Sequence, residues 1–199
     1  MRFGLWLALV GLVAIAAQAS AQFVDFEDVA SSGNPIVTLV NSGGYQFTSE
    51  HFHTIDDPGG FGGVPELPGS TVYIGHEGGN LGRIITMTAN SGGTFAVYGL
   101  DATKLWLSAP GGYPNASHVE LVGYHSGGGS TTVDLPLAEP PGWQTYDLSS
   151  PLTDLTSLTI NGIYSGSGDY AFGVDNIRLP EPTSLVLLGA TLIGGLRRR

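Results

Sequence analysis

The sequence predicts an all-β fold, an antiparallel two-sheet sandwich with jelly-roll-like connections. Between residues 22 and 179, short segments rich in β-branched and aromatic residues recur roughly every 8–12 residues, as such folds require. Several segments alternate cleanly, for example Leu105/Leu107 and Leu158/Ile160. Glycine provides 31 of the 199 residues and clusters between the segments, where it marks turns.

Eleven segments are predicted to be strands, because β-branched and aromatic side chains pack well on a pleated surface. The first six begin at residues 23, 36, 45, 84, 94 and 104 and read FVDFE, IVTLV, YQFT, IITMTA, TFAVYGL and KLWLSA. The last five begin at residues 118, 131, 143, 155 and 170 and read HVELVGYH, TTVDL, WQTYDL, LTSLTI and YAFGVDNIRL. Residues 50–82 break this rhythm and are predicted to form a long loop, a kind of segment that often carries function.

Residues 1–21 have the pattern of a secretory signal peptide. Arg2 precedes an apolar run from Phe3 to Ala17, and two alanine-spaced cleavage sites follow between positions 17 and 21. We expect this segment to form a signal helix that directs the chain to the export machinery and is then removed. The predicted folded domain is therefore residues 22–179.

Residues 180–199 end the chain with a second apolar segment. As a helix, residues 183–196 would be about 21 Å long, against about 30 Å for the hydrocarbon core of a bilayer. Such a short transmembrane helix could cross only transiently, with terminal arginines that reach the cytoplasmic headgroups. The polar residues that frame this helix are Pro180, Glu181 and Pro182 before it and Arg197, Arg198 and Arg199 after it.

This tail resembles the PEP-CTERM sorting signal of exopolysaccharide-forming Gram-negative bacteria. The resemblance implies that an exosortase, a membrane protease, cuts near the Pro-Glu-Pro motif after a transient stay in the inner membrane. It also implies delivery to the cell surface or extracellular matrix. Such tails are also known as ice-binding protein C-terminal domains, but ice affinity needs a flat array of threonines. Thr86-Met87-Thr88 is the only Thr-x-Thr in the sequence, so ice binding is not predicted.

Charge and cysteine content exclude several classes of function. Residues 22–179 contain 16 acidic residues and only three basic ones, Arg83, Lys104 and Arg178. Nucleic acids and anionic membrane surfaces are therefore poor partners, whereas divalent cations and neutral sugars fit better. The absence of cysteine excludes disulfides, a thiol nucleophile and thiolate metal ligands.

The middle region resembles the β-sandwiches of secreted carbohydrate-binding modules, in the segments GGYQFTS, GWQTYDLS and FGVDNIRL. In such modules a Phe-Glu-Asp near the first strand and an aspartate in a closing Asp-Asn-Ile strand help to bind a structural calcium ion. The resemblance therefore implies calcium ligands at Glu27, Asp28 and Asp175. Calcium prefers six to eight oxygen ligands, which carboxylates and loop carbonyls supply. Without calcium, the same carboxylates would be solvated edge or turn residues.

An alternative metal site is predicted in the segment HFHTIDD. On an extended strand, His51 and His53 would point the same way, as a transition-metal site requires, and Asp56 follows as a carboxylate ligand. The other interpretation is that these are polar loop residues with neutral imidazoles.

Polysaccharide binding is predicted from aromatic residues and catalysis is not. No nucleophile elbow, phosphate-binding loop or zinc helix motif occurs, and nothing distinguishes Glu66, Glu77 or Glu120 as a catalytic pair. Pyranose rings stack on aromatic faces, although each aromatic residue can equally belong to the core. Trp106 is expected to face opposite to its two leucine neighbours and so to be exposed. The wider set is Trp106, Tyr113, Trp143, Tyr146, Tyr164 and Tyr170, with Trp106, Trp143 and Tyr146 as the leading ligand-binding candidates.

The sequence thus predicts an exported, exosortase-processed and non-enzymatic protein of the cell surface or exopolysaccharide matrix, with a structural or polysaccharide-binding role. The alternative is a secreted calcium- or metal-dependent enzyme that acts on glycans. A third interpretation is a passive matrix protein without glycan affinity.

Overall fold

The computed structural model describes residues 22–30, 33, 35–56, 73–76, 84–106, 115–164, 167–168 and 170–180. Residues 23–179 form one compact unit. The predicted signal peptide, the predicted sorting tail beyond Pro180, and the residues Glu66, Glu77 and Tyr113 lie outside the described residues. In the described part of the chain, no helix has the length and apolar character needed to cross a membrane.

The described residues contain strands and turns and no helix, which confirms the all-β prediction. The eleven strands are β1 (Gln22–Val24), β2 (Ile36–Ser42), β3 (Tyr45–Ile55), β4 (Tyr73–His76), β5 (Ile85–Ala89), β6 (Phe95–Lys104), β7 (His118–His125), β8 (Ser130–Pro136), β9 (Gln144–Tyr164), β10 (Ser167–Gly168) and β11 (Phe172–Leu179).

Two predicted elements are wrong. Residues 50–82 are not all loop, because β3 continues to Ile55 and β4 occupies Tyr73–His76. The separate strand predicted from Lys104 does not begin there, because β6 runs from Phe95, ends at Lys104 and leaves Leu105 and Trp106 outside any strand; residues 107–109 lie outside the described part of the chain. The HFHTI segment is a strand despite its polar side chains, since β2 and β4 supply hydrogen-bonding partners on both sides of it.

Six strands close into a ring, so the predicted two-sheet sandwich is corrected to a closed barrel with flanking strands. Around the ring, β11 pairs with β4, β4 with β3, β3 with β5, β5 with β9, β9 with β6, and β6 with β11. Each of these pairs is antiparallel. β7 and β8 extend the sheet beyond β9, and β2 pairs with β3. β1 pairs with β11, and β10 pairs with β9.

The ring closes because β9 is long and bent. Its first part, from Gln144 to Leu155, pairs with β6, and its later part pairs with β5 and β7. At the bend Asp154 has a φ of 56°, in the left-handed region. Ser126 N, in the turn after β7, donates a hydrogen bond of 3.0 Å to the Asp154 carbonyl oxygen. The two strands predicted from WQTYDL and LTSLTI are therefore one strand that contributes to both sides of the barrel.

The buried apolar side chains form two clusters. In the larger one, the rings of Phe26 and Phe47 meet edge to face at 4.9 Å, and Met87 and Leu158 are fully buried nearby in the same cluster. Burial of each such side chain contributes about 1.5–3 kcal/mol. The smaller cluster consists of Ile55, Leu105, Trp106 and Ala171, with Trp143 packed against it.

A partly buried charge network joins β6, β9 and β11. Arg178 Nη2 donates to the Tyr146 carbonyl oxygen and lies 3.2 Å from Asp147 Oδ1, while Nη1 lies 4.0 Å from Asp101 Oδ1. Asn176, in the left-handed region at a register shift, donates from Nδ2 to Asp101 Oδ2 at 2.9 Å. Asp147 is 87% exposed, so its ion pair with Arg178 contributes little to stability. The better buried contacts of Arg178 and Asn176 link the three strands at this position.

Gly99 provides the space that the Arg178 guanidinium occupies. A Cβ atom at Gly99 would lie 2.2 Å from the Tyr146 carbonyl oxygen and 2.4 Å from Arg178 Nη2. We expect Gly99→Ala to lower the free energy of unfolding by about 1–3 kcal/mol, measured by urea denaturation, because the guanidinium or the backbone must move. Gly127→Ala is the matched control, since a Cβ there meets nothing within 4 Å. Equal losses for the two variants would contradict this account of the network.

Candidate functional site

Aromatic side chains gather at one end of the barrel, which we call the aromatic end. Both ends of β9 reach it. Gln144 at the start of β9 pairs with Ala102, two residues before the end of β6, and Ile163 near the end of β9 pairs with the first residue of β7. The last residue of β8 and the first of β11 lie at the same end. The aromatic residues there are Trp106, Trp143, Tyr146, Tyr164 and Tyr170.

Tyr164 and Tyr170 form the most accessible aromatic pair of the aromatic end. Their ring centroids are 5.4 Å apart with the planes inclined at 42°, and Tyr164 is 50% exposed. Tyr170 is held by a backbone hydrogen bond of 3.2 Å from its nitrogen to the Gly162 carbonyl oxygen. A Cβ at Gly162 would lie 2.2 Å from the Tyr170 carbonyl oxygen, so glycine allows the two strands to approach this closely. The sequence offered no signal for this role of Gly162.

Trp106 is buried, which corrects the prediction that it is exposed. Only 7% of Trp106 is accessible, and Leu105 beside it is fully buried. The alternation that predicted opposite faces fails because β6 ends at Lys104, so both side chains turn into the smaller core cluster. The Asn115 side chain accepts from Trp106 N at 2.9 Å and donates to its carbonyl oxygen at 2.8 Å. Trp106 is thus a core residue held by Asn115, whose part in the site the sequence did not reveal.

Trp143 and Tyr146 are half-buried and line the aromatic end. Trp143 packs against the cluster that contains Trp106, so the structure brings the two tryptophans together. The Tyr146 hydroxyl donates to Gln144 Oε1 at 2.7 Å and contacts the Pro136 carbonyl oxygen. Burial raises the pKa of Tyr146 above its ordinary value of 10.0. Both rings are therefore fixed in place, with part of each accessible to a ligand.

The one described lysine is neutralised at this end. Lys104 is 7% exposed and forms an ion pair with Glu139 in the segment between β8 and β9. Ala138 in the same segment donates from its backbone nitrogen to Gln144 Oε1 at 2.7 Å. These contacts hold the segment against β6 and β9 and leave no unpaired lysine for an anionic ligand in the described part of this end.

A serine, a histidine and an aspartate adjoin each other here without the geometry of a catalytic triad. Ser117 Oγ lies 3.1 Å from His118 Nδ1, and His118 Nε2 lies 3.8 Å from Asp134 Oδ1. The serine hydroxyl, however, donates to the Ile163 carbonyl oxygen at 2.9 Å. A nucleophilic serine must give its proton to the histidine, so this arrangement serves to position side chains and not to activate a nucleophile.

The alternative metal residues are only partly brought together. The rings of His51 and His53 are adjacent on β3, with centroids 5.3 Å apart, and His53 is buried. Asp56 Oδ1 instead accepts a hydrogen bond of 3.1 Å from Gly33 N. Within the described ranges, no group of three or more His, Asp or Glu side chains is arranged to hold a metal ion. A site at these residues stays a prediction.

The calcium residues also have other contacts. Asp28 accepts hydrogen bonds from Ser42 Oγ at 2.5 Å and Gly43 N at 3.0 Å, while Glu27 beside it is exposed. Asp175 is fully buried on β11 opposite Asp101, and its Oδ1 accepts from Asn176 N at 2.7 Å. In the described part of the chain, these three carboxylates do not belong to any group of three or more His, Asp or Glu side chains that could hold a metal ion. Calcium binding by Glu27, Asp28 and Asp175 therefore stays a prediction.

Comparison with known proteins shows similarity in fold alone. No protein-family model and no curated protein matches the chain. Among solved structures, a DUF4465 family protein from Bacteroides caccae aligns with a TM-score of 0.56 and 17% identity, over 82% of this chain and 100% of that one. The family 32 carbohydrate-binding module of C. perfringens NanJ, solved with galactose, aligns with a TM-score of 0.41 and 14% identity, over 69% of this chain and 97% of that one. A CBM29-2 variant complexed with mannohexaose aligns with a TM-score of 0.38 and 14% identity, over 81% of this chain and 92% of that one.

The hydrogen bonds of the Asp28 carboxylate predict that it contributes a small amount to the free energy of unfolding and that this contribution is lost in acid. The Ser42 hydroxyl and then the Gly43 N–H hold the pKa of Asp28 below its ordinary value of 3.8. A carboxylate with a lowered folded-state pKa stabilises the fold above the unfolded-state pKa, and the effect is lost as the pH falls through the folded value.

Asp28→Asn should therefore be less stable than the wild type near pH 7, and the difference should shrink below about pH 4. Because Asp28 is exposed, we expect only a few tenths of a kcal/mol, measured by urea denaturation at pH 7 and pH 3. Ser42→Ala removes the main cause of the shift and should reproduce part of the effect. A difference that does not change with pH would contradict the assignment.

Proposed function

We propose that this protein is exported and binds neutral polysaccharide, without enzymatic activity, through the aromatic end of its barrel. The observation that carries the proposal is the pair formed by Tyr164 and Tyr170, which presents two inclined aromatic faces, one of them half exposed. Trp143 and Tyr146 add half-buried aromatic surface at the same end. Carbon-bound hydrogens of a pyranose ring pack on such faces, while its hydroxyl groups need polar neighbours at the rim.

Polar groups of the right kind lie at the rim. Gln144, Ser117 and His118 provide uncharged or weakly basic hydrogen-bonding groups beside the aromatic residues. The nearby carboxylate of Asp134 is 64% exposed, whereas Glu139 is paired with Lys104. The Asp134 carboxylate would repel an anionic polymer, and nucleic acid is disfavoured for the same reason. A neutral sugar chain suits this combination best.

Substitution of the tyrosine pair tests the proposal. We expect Tyr164→Ala and Tyr170→Ala each to weaken binding to soluble neutral polysaccharides, such as galactomannan, by about tenfold, or ~1.4 kcal/mol, in affinity gel electrophoresis. Tyr98→Ala is the matched control, because Tyr98 on β6 is 43% exposed. Equal mobility shifts for all three variants would overturn the proposal. Release of reducing sugar from the polysaccharide would instead support the enzymatic alternative.

We further propose that the C-terminal segment is a sorting signal cut by an exosortase near Pro180-Glu181-Pro182. Its support is the resemblance of residues 180–199 to a PEP-CTERM signal, together with the apparent signal peptide of residues 1–21. The protein would then reside briefly in the inner membrane before it reaches the cell surface or exopolysaccharide matrix, where a polysaccharide ligand is abundant.

Mass spectrometry of the mature termini tests the sorting proposal. We expect an N-terminus near Gln22 and a C-terminus near Pro180. Replacement of Arg197, Arg198 and Arg199 by glutamine should leave the tail uncut, because the positive charges that orient the segment are lost. Recovery of the full-length wild-type chain from the culture medium, with all three arginines present, would disprove the sorting role.

A further inference from the structure

The outer face of the sheet carries two rows of uncharged side chains that the sequence does not reveal, and we call them the hydroxyl rows. The first row crosses six strands, because each member is the registered partner of the next on the neighbouring strand. In spatial order from β2 to β8 it consists of Leu39, Thr48, Thr86, Thr159, Val122 and Thr132.

The second row is displaced from the first by two residues along each strand. It contains two registered runs, Asn41 with Gln46 and Thr88 on one side, and Ser157 with Tyr124 and Ser130 on the other. Met87 pairs with Leu158 on the antiparallel strands β5 and β9, so the adjacent residues Thr88 and Ser157 occupy neighbouring positions and join the two runs. Side chains of the alternate positions, such as Phe47 and Met87, are buried, so both rows face away from the core.

The rows are accessible to a ligand. Tyr124 and Leu39 are 44% and 48% exposed, Thr132 is exposed, and the central threonines are half-buried between their neighbours. Thr159 Oγ1 reaches the Val122 carbonyl oxygen at 3.5 Å, a long hydrogen bond that a ligand hydroxyl could replace. The face therefore offers hydroxyl groups at its centre, with the apolar surface of Leu39 on β2 and the ring of Tyr124 on β7 towards its sides.

Charge restricts the ligand to a neutral polymer. The twelve residues of the hydroxyl rows include no charged side chain, in a chain whose net charge is −10. Carboxylates border the rows at Glu50, Glu120 and Asp134, which occupy outward positions of β3, β7 and β8. The described basic side chains, Lys104 and Arg178, form ion pairs elsewhere. An anionic polymer would meet only repulsion on this face.

The geometry favours one flexible chain over a flat crystalline surface. Neighbouring strands are about 4.8 Å apart, and outward residues of one strand repeat about every 6.8 Å. Sheets twist by about 20–25° per strand, so the direction of the rows turns by roughly 100–125° across six strands. A rigid plane, such as a crystal of ice or cellulose, can contact only part of such a surface. A single sugar chain can follow the twist.

From these observations we infer that the hydroxyl rows bind one extended, neutral polysaccharide chain that runs across the strands, at a site separate from the aromatic end. Hydroxyl groups of successive sugars exchange hydrogen bonds with the threonines, and Tyr124 provides one stacking surface at the side of the face. The domain would thereby hold a polysaccharide at two places.

The experiment separates this site from the aromatic end. In a Tyr164→Ala background, residual binding to galactomannan should persist in affinity gel electrophoresis. Adding Thr86→Val with Thr159→Val, which removes two hydroxyls and retains shape, should weaken that residual binding about tenfold. Tyr98→Ala in the same background is the matched control and should leave it unchanged. Thermal melting of each variant shows whether it remains folded, and Tyr124→Ala provides a second, exposed test position.

Four outcomes would overturn the inference. The Tyr164→Ala variant could lose all binding, or its residual binding could be unaffected by the threonine substitutions and by Tyr124→Ala. The protein could also bind polygalacturonate as tightly as galactomannan, or inhibit ice growth without any retention of galactomannan. The first outcome leaves the aromatic end intact as a binding site, so the two proposals can fail separately.

Discussion

The bend of β9 is the constraint on which the rest of the structure depends. A strand of 21 residues cannot stay in one small sheet, and the left-handed conformation of Asp154 lets it turn from β6 to β5 and β7. This turn closes the six-stranded ring and gives the core a continuous boundary. It also brings the end of β9 back to the end of the barrel where the strand begins, so that Tyr146 and Tyr164 lie at the same end.

The charge network of Arg178 complements this bend. Arg178 on β11 reaches the carbonyl oxygen of Tyr146 and the carboxylate of Asp147 on β9, close to the position where Gly99 of β6 leaves space for it. Buried charges are tolerated only when paired, so the network tolerates few alternative strand arrangements. Because Lys104 is paired as well, the described lysine and arginine side chains are both held in ion pairs.

Particular residues show how far sequence patterns reach into the candidate site. The aromatic character of the site was predicted, and Trp143 and Tyr146 do line the aromatic end. Trp106 was placed wrongly, because alternation holds only while a strand continues and β6 ends two residues earlier. Likewise, one Thr-x-Thr in the sequence gave no indication of the hydroxyl rows, because their threonines come from four different strands, β3, β5, β8 and β9. Cross-strand register, which is not written in any local segment, brings them side by side.

By itself, the sequence determined the all-β class, most of the strands and the scarcity of basic side chains, because each follows from local composition and from the two-residue period of a strand. It also contains the predicted export and sorting signals, which are short linear motifs. Only the tertiary structure decided that the barrel closes, that Trp106 belongs to the core, and which polar residues share a face. Those outcomes depend on pairings between residues distant in the chain, and the energies of such contacts are set by packing and not by local propensity.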